Sequence, residues 1–199
     1  MTGVQTCALP IYNFVGRDSE LLALDAWAAS NDNIMIVEAL GGMGKSSLTW
    51  HWTQRTLQAE EPPQPFAGAI WWSFYEENAS MDNFIRDSLA YISGKPPEHF
   101  ASKSRAECEA ILLHALQSKP YLLIMDGIER IMGSYRSPET VLSKERIGDD
   151  QSKRSFSEQE DDEFVGKLVT CTPSRILMST RLIPRVFQNV NGDLMNGVR

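Results

Sequence analysis

Ala39-Leu40-Gly41-Gly42-Met43-Gly44-Lys45-Ser46 is the stretch on which the reading of the whole chain turns. Its glycines let the backbone turn so that successive N–H groups point inward, a shape that suits an anion. Upstream, Ile34 to Val37 is an apolar, β-branched-rich run of strand length, and downstream Ser46 to Leu57 has good helical composition. Strand, glycine loop and helix in that order set the positive N-terminal end of a helix behind the ring of N–H groups. Lys45 adds a cation on a long stem at the same place.

The stretch matches the P-loop pattern GxxxxGK[ST], with Ala39 in the first glycine position, a replacement that P-loop families tolerate. The backbone of Gly41, Gly42, Met43 and Gly44 is expected to cradle the phosphates of ATP or ADP, and Lys45 to reach the β- and γ-phosphates. Ser46 offers a hydroxyl to Mg2+, a hard cation that prefers oxygen, and Ser47 is expected near the α-phosphate. The competing reading is a glycine-rich turn with a solvated lysine. The flanking strand and helix, and a carboxylate-tipped strand later in the chain, argue against it.

That later strand is Tyr121 to Met125, an apolar run starting just after Pro120 and closing on Asp126. A central parallel strand delivers a carboxylate to the C-terminal edge of its sheet in this way. Leu122 to Asp126 has the form hhhhD, the Walker B pattern, whose acid holds Mg2+, usually through a water, opposite the P-loop hydroxyl. Glu129 lies three residues further on, where it is a candidate to orient or deprotonate an attacking water; its other reading is a salt bridge or a helix-start carboxylate. Arg175 to Ser179 reads as a further strand ending on Thr180 and Arg181, which puts an arginine fork at the edge where a γ-phosphate sits.

Around these motifs the chain alternates strands and helices. Asp18 to Ser30 reads as a short amphipathic helix; Pro62, Pro63 and Pro65 break the chain; Gly68 to Tyr75 reads as a buried strand with Trp71 and Trp72 on opposite faces. Helices are expected at about Met81 to Ile92 and Arg105 to Gln117, with a turn at Gly94 to Pro97 between them. Residues 134–161 are polar and increasingly acidic, the composition of a flexible solvated loop, and Phe164 to Thr170 suggests a short helix. The expected fold is α/β, a P-loop NTPase three-layer sandwich with a parallel sheet of about four strands and without the last core strand. On that expectation the strand Ile34 to Val37 lies at an exposed sheet edge.

Bulk composition narrows the class. With 199 residues and 42% hydrophobic content the chain is long enough for one substantial core, and a net charge of −7 argues against a surface made to coat nucleic acid or an anionic membrane. No apolar run approaches the ~18 residues of a membrane span. Cys7, Cys108 and Cys171 are scattered without a CxxC spacing, so a cytoplasmic location fits, and His51, His99 and His114 are isolated and enter no mechanism. Met1 to Ile11 resembles a translated sequencing adapter and is excluded from fold reasoning; its other reading is an apolar N-terminal strand or the end of an upstream domain. The domain is therefore read over residues 12–199.

Taken together, these motifs resemble the NB-ARC branch of the STAND ATPases, signal-transduction relatives of AAA+ proteins, and the bacterial members above all. The resemblance begins at Phe14-Val15-Gly16-Arg17, the form of the family's hhGR entry motif, and runs to the C-terminus. It implies base-side contacts from Val15, Gly16 and Arg17, phosphate contacts from Lys45, Ser46 and Ser47, a Walker B acid at Asp126 and a sensor arginine at Arg181, with Ser179 where relatives often have Thr. Where plant-type members carry a second acid after the Walker B Asp, this chain has Gly127, which moves the water-activating role to Glu129. The resemblance also implies that the small helical and winged-helix domains of the family follow beyond Arg199. It further implies a switch that rests with ADP and self-associates with ATP. An AAA+ initiator or loader acting on nucleic acid, a nucleotide-binding scaffold without turnover and a small-molecule kinase are the alternatives weighed. The acidic balance counts against the first, and the acidic region after the third strand against an Arg-rich kinase lid.

Overall fold

The computed structural model describes residues 15–62, 64–133, 154–189 and 192–199. Four parallel strands, β1 (Ile34–Glu38), β2 (Gly68–Ser73), β3 (Tyr121–Asp126) and β4 (Arg175–Thr180), form one sheet in the order β1-β4-β3-β2. Their register aligns Glu38 with Thr180, Asp126 with Ser179 and Ser73 with Asp126, so all four C-terminal ends open on one edge. Every residue of β3 and β4 is buried, as a central parallel strand covered on both faces requires.

Successive side chains alternate between faces. Met35, Trp71, Leu122, Ile124 and Leu177 pack beneath α1 (Asp18–Ala28) and α2 (Lys45–Gln58), where Leu24, Trp27, Leu48 and Trp52 complete one apolar layer. Ile34, Trp72, Leu123, Met125, Ile176 and Met178 face the other way, toward Phe84 of α3 (Met81–Ser93), Leu112 of α4 (Arg105–Ser118) and Phe164 of α5 (Gln159–Lys167). The tryptophan pair divides as its sequence alternation predicts: Trp71 meets Trp50 edge-on at 5.2 Å, and Trp72 meets Phe84 at 6.0 Å. The result is the expected three-layer α/β sandwich. Cys108 and Cys171 are buried free thiols, and burial pushes Cys171 up to about 12, which leaves it unreactive near neutral pH; Cys7 lies outside the described residues.

Two expectations need correction. The free edge of β1 is paired over Ile34 to Ile36: Ile34 N donates to Gly197 O at 3.1 Å, Arg199 N donates to Ile34 O at 3.0 Å, and Ile36 N donates to Arg199 O at 2.8 Å. Gly197 to Arg199 thus lie parallel to β1 and satisfy backbone groups that the sequence reading left bare. Secondly, α5 begins at Gln159, five residues before the helix expected at Phe164, so Gln159 to Asp161 are helical and not part of a solvated loop. Residues 134–153 of that loop expectation lie outside the described residues. Glu160, Asp161 and Asp162 occupy the first turn of α5, where the helix dipole favours carboxylates, and a single cation anchors the first two of them.

That cation is Arg105. It pairs with Asp161 at 2.5 Å, with Asp82 and Glu109 at 2.8 Å each, and with Glu160 at 3.5 Å, joining α3, α4 and α5. Burial alone would lower its affinity for a proton; the hydrogen bonds to Glu109 and Asp161 outweigh that and raise it. Glu109 and Asp161 are themselves buried, so Arg105→Ala strands Asp161 in the protein interior and leaves Glu109 only the longer pair with Lys167 at 3.9 Å. The expected outcome is a loss of about 2–4 kcal/mol in urea unfolding, against less than about 1 kcal/mol for a surface arginine such as Arg55.

Candidate functional site

The loop after β1, the acid ending β3 and the polar end of β4 meet at the C-terminal edge of the sheet. Ala39 N donates to Thr180 O at 3.2 Å, which ties the start of the loop to the adjacent strand. Gly42 and Gly44 have φ of 79° and 75°, a region that L side chains rarely adopt, so these two glycines are required by the turn. Gly44 is also the N-cap of α2; no side chain caps this helix and its first turn holds no acid. No side chain therefore takes up the backbone N–H groups of that turn.

Lys45 is folded across its own loop, its Nζ donating to Ala39 O at 2.6 Å and to Leu40 O at 3.1 Å. Burial lowers the proton affinity of its ammonium; the carboxylate of Glu129 opposes this, Arg181 reinforces it and Asp126 opposes it more weakly. Beside it Ser46 donates to Asp126 Oδ1 at 2.8 Å, and Ser179 donates to the same oxygen. The two sequence motifs, 80 residues apart, are in direct contact.

Mg2+ fits this pair. Both donors are hard oxygens, and their 2.8 Å separation is close to the ~2.9 Å edge of an octahedron with metal–oxygen bonds of about 2.05 Å. Among the described residues no group of three or more His, Cys, Asp or Glu side chains could hold a metal by itself, so an ion here needs phosphate oxygens or waters to complete its shell.

Burial holds the Asp126 carboxyl above its ordinary range, with the Ser179 and Ser46 hydrogen bonds and then Lys45 pulling it back. A carboxyl raised in the fold favours the folded state most while it is protonated, and that contribution is lost as pH rises through its folded value. Asp126→Asn is therefore expected to raise the melting temperature of the nucleotide-free chain at pH 7.5 by about 2–4 °C. The gain should shrink as pH falls toward the ordinary aspartate range, and Mg2+-dependent nucleotide affinity should be lost. Thermal scans over pH, with and without Mg-ATP, check both halves.

Glu129 sits in a short 3-10 turn, Ile128–Ile131, entered through Gly127 with φ 74°. Its side chain is fully buried; Oε1 accepts from Tyr75 OH at 2.9 Å and pairs with Arg181 Nε at 3.3 Å, while Oε2 has no hydrogen-bond partner. The guanidinium of Arg181 also lies against the phosphate loop: a Cβ added at Gly41 would stand 2.8 Å from Arg181 Cζ. Arg181 thus spans the loop and Glu129. The salt bridge that was Glu129's other reading is present.

The entry segment is brought to the same edge only in part. Arg17, in a left-handed conformation with φ 61°, donates to the Met43 carbonyl of the phosphate loop. Val15 is 88% exposed and touches none of the loop by hydrogen bond, Gly16 has φ 84°, and Phe14 lies outside the described residues. Ser47 is on the first turn of α2, partly buried.

Sequence reasoning did not single out Tyr75, nor Ser179 as a partner of Asp126. Gly127 was the available signal for the first: a Cβ there would stand 2.7 Å from Tyr75 Cζ, so the ring rests on that glycine, while the Arg130 guanidinium covers it at 5.8 Å from its centroid.

No family model and no curated protein sequence matches the chain. In three dimensions it is similar to a chain in the structure of Drosophila ORC bound to DNA, with a TM-score of 0.52 and 10% identity over 91% of this chain and 89% of that one. The four-stranded parallel sheet with helices on both faces is a P-loop NTPase-like fold. At this identity the likeness speaks for the arrangement of strands and helices alone. Among the described residues no helix is long and apolar enough to cross a membrane.

Proposed function

We propose that the chain is an ATP/ADP-binding switch domain of the STAND type, with slow Mg2+-dependent ATP hydrolysis that controls assembly in the cytoplasm. The observation that carries this reading is the contact of Ser46 with Asp126 beneath an uncapped helix N-terminus, with Lys45 and Arg181 beside it. Bound with the nucleotide, Mg2+ supplies charge neutralisation on the β- and γ-phosphates. Ser46 and Asp126 would hold it, Lys45 would exchange its loop carbonyls for phosphate oxygens, and the first turn of α2 would donate its N–H groups. Arg181, paired with Glu129 and lying on Gly41, would respond to the γ-phosphate, because an added anionic group would compete with Glu129 for the same guanidinium. That competition is the two-state element of a nucleotide switch. Arg17, Gly16 and Val15 would lie on the base side.

A second reading is an AAA+ initiator or loader acting on nucleic acid, the setting of the similar chain in the structure of Drosophila ORC bound to DNA. The net charge of −7 weighs against it. Calorimetry with Mg-ATP and Mg-ADP, followed by binding to duplex DNA over a salt series, separates the two. The switch reading expects micromolar or tighter nucleotide binding and no salt-dependent DNA binding. Salt-dependent DNA affinity would move the assignment to the initiator class, and a folded chain that binds neither nucleotide would overturn both.

A further inference from the structure

We propose that Tyr75 is a positioning residue for Glu129, holding the carboxylate by Oε1 so that Oε2 is the oxygen that accepts the proton of the attacking water. The inference rests on the hydrolytic part of the reading above and deepens it by dividing the work between the two oxygens of one side chain.

The division is visible in the contacts. Tyr75 OH at 2.9 Å and Arg181 Nε at 3.3 Å both address Oε1, while Oε2, on a side chain with no exposed surface, has no hydrogen-bond partner. A buried carboxylate oxygen without a donor is costly, and the cost is relieved when a water donates to it. Lys45 senses the Glu129 charge more strongly than that of Asp126, so this carboxylate lies in the field of the phosphate site.

Tyr75 is itself held for the task. Its ring lies between the bare Cα of Gly127, where a Cβ would stand 2.7 Å from Cζ and 2.8 Å from Cδ2, and the guanidinium of Arg130. Burial, and next the Glu129 charge and hydrogen bond, keep the phenol well above its ordinary proton affinity, so it remains a donor throughout the neutral range. The residue that follows the Walker B acid must then be small, and Gly127 meets that need with a φ of 74°.

In the step itself, the oxygen of a water forms a bond to the γ-phosphorus while its proton passes to Glu129 Oε2. The bond from the γ-phosphorus to the β–γ bridging oxygen breaks, and that oxygen leaves with the electron pair on ADP. Glu129 then returns the proton to the inorganic phosphate.

The test uses the full 199-residue chain, ATP with Mg2+, and the variants Tyr75→Phe, Glu129→Gln and the pair together, measuring the nucleotide Kd by calorimetry and kcat by phosphate release. Tyr75→Phe keeps the ring that packs on Gly127. It is expected to lower kcat about tenfold with Kd within about twofold of the parent, while Glu129→Gln lowers kcat about 100-fold. In the Glu129→Gln background the tyrosine change should have no further effect on kcat, because no proton acceptor is left to position. An unchanged kcat in Tyr75→Phe overturns the inference, and so does an equal loss with and without the Glu129 carboxylate, which marks a structural role. Nucleotide binding without hydrolysis in the parent chain overturns it while leaving the binding reading intact; absence of binding overturns the nucleotide reading first.

Discussion

Lys45→Ala is expected to weaken Mg-ATP and Mg-ADP binding by about 100-fold or more while leaving the chain folded. In the free site Nζ makes two hydrogen bonds to its own loop, at 2.6 and 3.1 Å. When phosphates arrive these become charge-assisted bonds to anionic oxygens, worth roughly 1.5–3 kcal/mol each. Losing the pair costs about 3 kcal/mol or more of binding, which is the stated factor. Folding should respond little. Burial already lowers the proton affinity of this lysine, so the folded state gains little from its charge, and removing it offsets the lost loop contacts to within about 1 kcal/mol. Calorimetry alongside urea unfolding checks the pair of outcomes. Parental affinity in the alanine variant would mean that the glycine loop is not the phosphate site.

The second large effect is expected at Gly127. Its φ of 74° costs any L side chain about 1–2 kcal/mol, and the Cβ of an alanine would press on the Tyr75 ring at Cζ and Cδ2, 2.7 and 2.8 Å away. The ring is 44% exposed with the Arg130 guanidinium on one side, so it relieves the contact by turning outward, which withdraws its hydroxyl from Glu129. That removes a hydrogen bond to a charged, fully buried group, a further ~1.5–3 kcal/mol. Gly127→Ala is therefore expected to lose about 3–5 kcal/mol in urea unfolding. Gly94→Ala is the control: its φ is 66°, and a Cβ there meets nothing within 4 Å. It should lose only the ~1–2 kcal/mol of backbone strain. Equal losses in the two variants would refute the Tyr75 contact.

Both predictions join something the sequence makes plain to something it does not. The two central strands were legible almost to the residue: Tyr121 to Met125 was expected and Tyr121–Asp126 is found, and Arg175 to Ser179 became Arg175–Thr180, whereas the strand expected over Gly68 to Tyr75 ends at Ser73 and leaves Tyr75 in an exposed turn. A parallel strand covered on both faces has to be continuously apolar, which is a strong local signal. The start of α5 was illegible for the opposite reason. Its first turn is acidic, and the composition of a solvated loop is also the composition a helix N-terminus favours. What decides between them is Arg105, which contributes its charge from α4. The pairing of Gly197 to Arg199 on β1 carried no apolar run to mark it, because a single short bridge buries too little to show in the pattern.

The sequence by itself determined the three-layer α/β plan, the glycine loop with Lys45 and Ser46, and the acid ending β3, since each follows from local spacing: residue period, glycine placement and the residue that closes a strand. Tertiary structure alone decided which side chains share an oxygen. Ser46 and Ser179 converge on Asp126, and Tyr75 and Arg181 on Glu129, across separations of 80, 53 and 54 residues for the first three of these pairs. No local period encodes such distances. They are set by strand order and register, which bring the ends of β1, β3, β4 and β2 to one edge and leave their side chains to find one another there.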